Sequence, residues 1–284
     1  MKGIVRSLSS RSGQVAAVPP TLLVLAIACT PYGGPRPLSP PDPSSWVVGS
    51  YEPGTHSHND YDRDRPLAEA LEHGFASIEV DVALRNGVLY VTHDSADIDP
   101  SRTLADMYLR PLRTLVSSRD GHVYRPSDPP LQLLVDVKSN AVPAYEALEE
   151  LFADYDPMLS RWIDGARQDR AITVVISGNR PTLEGRDETR RYSVLDGRIY
   201  DRRRDFPPST MPLVSINWDD TGGMGDRMQT ARRFVEEVHR EGRRVRFWNT
   251  PDGPSTWAWL RALDVDFIGT DDPEGLSRFM REGR

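Results

Sequence analysis

The chain has 284 residues, 38% of them hydrophobic and 27% charged, with a formal net charge of −7. That suits one large or two small globular domains. The acidic balance argues against a nucleic-acid binder, which ordinarily presents a basic surface, and is compatible with a cation site lined by carboxylates.

Lys2, Arg6 and Arg11 make a basic opening segment without acids, and residues 22–28 form an apolar run too short for a comfortable membrane span. Residues 1–28 therefore read as a signal peptide. Cys29, the one cysteine of the chain, follows Ala26-Ile27-Ala28 in the manner of a bacterial lipoprotein processing site. The alternative is an ordinary signal peptide with an incidental cysteine. Either way the expectation is an exported protein, lipid-anchored to a bacterial membrane or secreted, with no internal disulfide. Residues 29–45 are rich in Pro, Gly and Ser and read as an extended tether. The folded body is expected over 46–284, the length of a single (β/α)8 barrel.

Within the body, short β-branched apolar runs alternate with helical patterns. Strands are expected near 52–57, 77–84, 88–92, 131–137, 171–176, 194–199, 212–217, 243–247 and 265–269. Helices are expected at Pro66–His73, with Pro at the first position and Gly74 after the end, and at Pro143–Tyr155, Gln229–Glu241 and Pro254–Leu263. Such alternation argues for a parallel sheet with helices outside. Nine strands are one too many for an eightfold barrel. Asn86-Gly87 between two apolar runs is a hairpin signal, so 88–92 should fold back on the second strand. The fold expected is thus an irregular (β/α)8 TIM barrel with a hairpin excursion after the second strand, as a monomer.

Functional side chains of such barrels sit at the carboxyl ends of the strands. Glu79 and Asp81 are two apart on a strand-like run and share a face. Unpaired carboxylates among apolar neighbours are costly, and a bound cation would remove that cost. Asp136 lies in a third apolar run, Leu131-Gln-Leu-Leu-Val-Asp136-Val-Lys138. Three carboxylates from neighbouring strands suit a hard cation, Mg²⁺ or Ca²⁺. Lys138 shares the face of Asp136, to hold a carboxylate or to reach an anionic substrate. His58 and His93 suit paired proton transfer near neutral pH. A phosphodiester fits these parts: a negative centre to clamp, a nucleophile to deprotonate and a leaving oxygen to protonate.

His56-Ser-His58-Asn-Asp-Tyr, Ser77-Ile-Glu-Val-Asp-Val, Val91-Thr-His-Asp94, Leu134-Val-Asp-Val-Lys138 and Phe247-Trp-Asn-Thr-Pro-Asp252 together resemble the superfamily of phospholipase C-like phosphodiesterases. It contains the glycerophosphodiester phosphodiesterases, phosphatidylinositol-specific phospholipase C and sphingomyelinase D. Ser177-Gly-Asn-Arg-Pro181, Arg246-Phe-Trp248 and Thr270-Asp-Asp272 resemble most the branch known from a yeast mitochondrial-inheritance protein. The resemblance implies an irregular barrel, a metal on Glu79, Asp81 and Asp136, acid and base histidines at His58 and His93, and a phosphate-contacting Lys138. The glycerophosphodiesterase opening His-Arg-Gly is His58-Asn59-Asp60 here, and the third acid is Asp136 rather than Glu, nearer the sphingomyelinase D type. Hydrolysis and closure to a cyclic phosphate are therefore both open, on a small-molecule or lipid phosphodiester. Spacing to Glu79 favours His58 over His56 as the superfamily histidine.

Asn179 and Arg180 are candidates for the substrate phosphate or head group, and Trp248 for the pocket wall. Asp271 is either an active-site group or a cap. His73 is expected as a favourable charge at a helix end, and His122 and His239 on solvated positions. A metal-dependent amidohydrolase would need further strand histidines, and after His122 only His239, in an expected helix, remains. The non-enzymatic alternative is a tethered binding lipoprotein on the same barrel.

Overall fold

The turn Asn86-Gly87 sets the shape of the barrel mouth. Both residues have positive φ, 52° and 78°, as the tight turn of a two-residue hairpin requires. The structure, a computed structural model, describes residues 42–181, 189–203, 206–222 and 224–283. The signal segment 1–28 and the tether up to residue 41 lie outside the described residues.

In chain order the elements are β1 (Glu52–Ser57), α1 (Ala68–Glu72), β2 (Phe75–Arg85), β3 (Val88–Val91), α2 (Arg110–Ser118), β4 (Leu131–Val137), α3 (Ala141–Ala153), β5 (Arg161–Ile163), β6 (Ala166–Gln168), β7 (Ile172–Gly178), β8 (Arg190–Arg191), β9 (Ser193–Gly197), β10 (Leu213–Asn217), α4 (Met224–Arg240), β11 (Arg244–Trp248), α5 (Pro254–Ala262), β12 (Ile268–Thr270) and α6 (Pro273–Glu282). Eight strands pair in parallel in the order β12-β1-β2-β4-β7-β9-β10-β11. A bridge between Arg246 and Phe267 brings the end strands together. This is the expected (β/α)8 barrel. β3 is the expected excursion, antiparallel to β2 with Val82 opposite Val91.

Strand parity sorts the side chains. Ile78, Val80 and Val82 of β2, Leu133, Val135 and Val137 of β4, and Ile172, Val174 and Ile176 of β7 join the main apolar core with the helices. Each buried aliphatic side chain of this kind contributes about 1.5–3 kcal/mol. The opposite parity carries Ser77, Glu79 and Asp81. Leu134, Val175, Val194, Leu213 and Phe267 form a second, smaller apolar cluster. Glu79 pairs in register with Leu134, and Asp81 with Asp136, so the acids follow directly on that cluster toward the strand carboxyl ends.

Several boundaries differ from the sequence expectation for identifiable reasons. The first helix begins at Ala68, after Pro66, because Leu67 has φ 64° and donates its amide to Asp60 Oδ2 at 2.6 Å. α3 begins at Ala141, ahead of Pro143, whose missing N–H falls in the first turn where no intrahelical bond is lost. α2, with Pro111 in its first turn, was not among the expected helices. A π-helical turn, Ala105–Leu109, runs straight into it, and such a wide turn accommodates a proline. α6 and the small antiparallel sheet β6-β5-β8 were likewise not expected.

Asp60 ties the loop after β1 to the core. Its carboxylate is fully buried and accepts from Ser57 Oγ, the Leu67 amide and Tyr108 Oη. Burial outweighs these hydrogen bonds and pushes its pKa from 3.8 up to about 6. Because the folded value lies above the unfolded one, the stabilising contribution is full below about pH 4 and is lost as pH rises through about 6. Two units correspond to on the order of 3 kcal/mol. Asp60→Asn removes this slope, so urea unfolding at pH 4 and pH 7 should shift the stability difference by that amount in favour of the variant. Parallel pH dependence of both proteins would refute it.

Candidate active site

The site lies where β1, β2, β4, β7, β9 and β11 end. Glu79, Asp81 and Asp136 each offer a carboxylate oxygen, and these oxygens lie within 4.8 Å of one another. Register produces this: Asp81 and Asp136 are direct neighbours across β2 and β4, and Glu79 is one inward position earlier. A cavity of about 450 Å³ opens beside them. It is lined by His58, Glu79, His93, Asp136, Lys138, Asn179, Arg198, Arg246 and Trp248, among others. A smaller one of about 170 Å³ adjoins it and shares His58, Arg246 and Trp248.

Glu79 is fixed from below. Oε2 lies 2.7 Å from His56 Nε2 and 2.7 Å from Arg246 Nη1. His56 Nδ1 lies 2.7 Å from Ser77 Oγ, which accepts from Gln132 Nε2 at 2.9 Å. His56 Nε2 thus faces both the Glu79 carboxylate and, at 2.9 Å, Arg246 Nη1. Burial, with Arg246 alongside, pushes His56 down to about 4 despite its bond to Glu79, so the ring is neutral at pH 7. Burial alone would raise Glu79, but Arg246 and His56 hold it well below the usual carboxylate range.

Asp81 is wholly buried, and its two oxygens differ. Oδ2 accepts from Tyr61 Oη at 2.8 Å, His93 Nδ1 at 2.7 Å and Lys138 Nζ at 3.1 Å. Oδ1 is buried without a hydrogen-bond partner. Burial and the Asp81 charge push the Tyr61 phenol upward, so it remains a donor. The bond to Asp81 assigns the His93 proton to Nδ1 and leaves Nε2 for the cavity. Lys138 also lies 3.0 Å from Asp136 Oδ1. Its burial is outweighed by the two carboxylates, so it stays an ammonium. Burial and the charges of Glu79 and Asp81 raise Asp136 in spite of Lys138.

These features fit a hard divalent cation. The donor set is all oxygen, and Asp81 Oδ1 is a buried acceptor with nothing to accept. The fixed charges are also unbalanced. Among the described residues, the Lys and Arg side chains within 4 Å of Glu79, Asp81, Asp136 and Asp196 are Lys138, Arg246 and Arg198, three cations against four carboxylates. Glu79, Asp81 and Asp136 would hold the ion.

His58 stands between the two cavities. Its Nδ1 lies 3.0 Å from Asp271 Oδ1, and Arg63 contacts both Asp271 and the His58 carbonyl. Burial depresses His58, but the Asp271 bond and the Glu79 charge raise it above its ordinary value. Asn179 and Trp248 line the cavity. Arg180 does not: Nε bonds the Asp196 carbonyl and Nη2 the Asp201 carboxylate. His239 is not free in solvent but bonds Asp266 at 2.8 Å. Sequence reading gave no role to Tyr61, Asp196, Arg198 or Arg246. Asp196 and Arg246 had the signal that exposed Asp136, a charge inside an apolar strand.

Gly178 makes room for the acid triad. It has φ 66°, and a Cβ there would lie 2.2 Å from Asp136 Oδ1 and 2.5 Å from the Val137 carbonyl. Gly178→Ala should lower stability by about 1–3 kcal/mol through overpacking and weaken Mg²⁺ binding by displacing Asp136. Urea unfolding and titration calorimetry check both. Gly87→Ala, at φ 78° with open space around it, controls for backbone strain alone, and equal effects in the two variants would disprove the crowding account.

Residues 50–196, just over half of the chain, match the sequence family described as the AIM6-like phosphodiesterase domain. The chain belongs to this family. It is 27% identical over 278 residues to altered inheritance of mitochondria protein 6 of Eremothecium gossypii, covering 79% of this chain and 68% of that protein. The homolog of Arthroderma benhamiae is 26% identical over 256 residues, covering 76% and 80%. The chain thus spans about two thirds or more of these relatives. Among solved structures, a Ca²⁺-dependent phosphatidylinositol-specific phospholipase C from Streptomyces antibioticus superposes with a TM-score of 0.54 at 12% identity, covering 81% of this chain and 98% of the other. A glycerophosphodiester phosphodiesterase from Parabacteroides distasonis does so with a TM-score of 0.51 at 15% identity, covering 83% and 99%. At such identities the likeness is one of fold. The chain carries a phosphodiesterase domain on a (β/α)8 barrel.

Proposed function

We propose that this domain is a divalent-metal-dependent phosphodiesterase acting on a small-molecule or lipid phosphodiester, with Mg²⁺ or Ca²⁺ on Glu79, Asp81 and Asp136. The observation that carries this reading is the convergence of three carboxylate oxygens within 4.8 Å at a cavity walled by two histidines. A bound cation supplies charge neutralisation of the phosphoryl oxygens.

The chain's own residues do the rest. His93, its Nδ1 proton held by Asp81, presents Nε2 to the cavity. His58, its Nδ1 held by Asp271, lines the same cavity. One takes the proton of the attacking hydroxyl or water, and the other protonates the departing ester oxygen. Lys138 adds positive charge and keeps Asp81 and Asp136 in place. Water as nucleophile gives hydrolysis; a substrate hydroxyl gives a cyclic phosphate, and phosphorus NMR of the product separates the two. We propose also that residues 1–28 export the chain and that Cys29 anchors it.

The test is hydrolysis of bis-p-nitrophenyl phosphate with and without EDTA. Turnover is expected to disappear with EDTA, to return with Mg²⁺ or Ca²⁺, and to fall roughly 100- to 10,000-fold in His93→Ala. Equal activity of His93→Ala and wild type, or no metal-dependent turnover of any phosphodiester, would favour a binding lipoprotein instead.

A further inference from the structure

Among the described residues three cationic side chains line the larger cavity, and they are committed to different degrees. Lys138 lies between Asp81 and Asp136, within 3.1 Å of each. Arg246 is buried, with Nη1 on Glu79 Oε2 and Nε on Ser215 Oγ. Arg198, one residue beyond β9, differs. Its Nη2 donates to the Gly178 carbonyl at 3.2 Å, and its nearest carboxylate contact is Asp196 Oδ2 at 3.9 Å. That oxygen also accepts from Ser177 and lies 3.8 Å from Arg246. A guanidinium has five N–H donors, and among the described residues one of those of Arg198 is engaged at hydrogen-bond distance.

Arg198 is also held in place. Its backbone amide donates to Asp201 Oδ2 at 2.8 Å, and Arg180 pairs with the same carboxylate. The side chain is about one quarter exposed and lines the cavity. Strand order then sets the geometry. β4, β7 and β9 are consecutive in the barrel, so Lys138, Asn179 and Arg198 follow one another along the rim.

We propose that Arg198 is the substrate-anchoring cation of this site, binding the non-bridging phosphodiester oxygen that the acid triad's cation does not take. This rests on the phosphodiesterase reading above. A phosphodiester monoanion has two such oxygens. One is drawn to the triad, where Lys138 is already shared by two carboxylates. The other needs a donor that is positively charged, preorganised and not neutralised at contact distance. Arg198 meets those three conditions, with Asn179 beside it as a neutral donor. A planar guanidinium offers two parallel N–H bonds to a phosphoryl group, which an ammonium cannot.

The experiment compares wild type, Arg198→Gln and Arg198→Lys by dimethyl phosphate calorimetry in the presence of Mg²⁺ and by steady-state turnover of bis-p-nitrophenyl phosphate. A charge-assisted hydrogen bond of this kind corresponds to roughly a 10- to 100-fold change. Arg198→Gln should weaken dimethyl phosphate binding and raise KM by that factor, with a smaller change in kcat. Arg198→Lys should recover part of the loss. Mg²⁺ affinity and Tm should stay at wild-type values. Unchanged binding and KM overturn the proposal. So does a matching loss of Mg²⁺ affinity or Tm, which marks Arg198 as a brace for Gly178 and Asp196. Wild type that binds dimethyl phosphate without turnover removes the enzyme reading and leaves Arg198 judged by binding. Wild type that does neither overturns both.

Discussion

Arg246→Met is expected to cost about 3–5 kcal/mol of folding stability, the range for breaking a buried ion pair by removing one partner. The guanidinium is buried against Glu79, itself buried, at 2.7 Å. Methionine fills much of the volume but leaves the Glu79 carboxylate with His56 alone, and that ring is neutral. Asp196 loses a neighbouring cation in the same step. The penalty comes from the uncompensated charge, not from any large net gain of the pair. Arg246→Met combined with Glu79→Gln should therefore recover a large part of the loss. Urea unfolding of the two single variants and the double variant measures this, and additive destabilisation would show that the two side chains do not act as a pair.

The second large effect is on chemistry. Asp81→Asn should abolish most turnover, by at least the roughly 100- to 10,000-fold that loss of positioned acid–base catalysis removes, while the barrel stays folded. An amide oxygen in the place of Oδ2 can still accept from Tyr61 and His93. What is lost is the charge: one ligand of the cation, the anchor for Lys138, and the electrostatic preference for a proton on His93 Nδ1. Mg²⁺ affinity and kcat should fall together, with Tm within a few degrees of wild type. Wild-type metal affinity in this variant would remove Asp81 from the ligand set.

Much of this site was legible in the chain before folding. Glu79 and Asp81 announce themselves because carboxylates at i and i+2 of an apolar strand must share one face. Asp136 carries the same mark, and Asn86-Gly87 admits hardly any other local structure than the tight hairpin that turns β3 back on β2. Arg180 shows the limit. Next to Asn179 in sequence it looks equivalent, yet the chain turns at Gly178 and sends one side chain to the mouth and the other to Asp201. Adjacent residues in a loop have no fixed parity, so only the tertiary fold assigns them.

Local pattern therefore determined which residues are inward, which are paired across a turn and how many strands close the barrel. These follow from strand period and turn stereochemistry, which act over a few residues. The tertiary structure decided the partners: Arg246 with Glu79 across 167 positions, His58 with Asp271 across 213, and His56 buried between Ser77 and Glu79. Ion pairs between distant strands depend on barrel closure and stagger, which no short stretch of sequence encodes. The same closure left Asp81 Oδ1 without a hydrogen-bond partner and Arg198 3.9 Å from the Asp196 carboxylate, the two features on which the proposed chemistry depends.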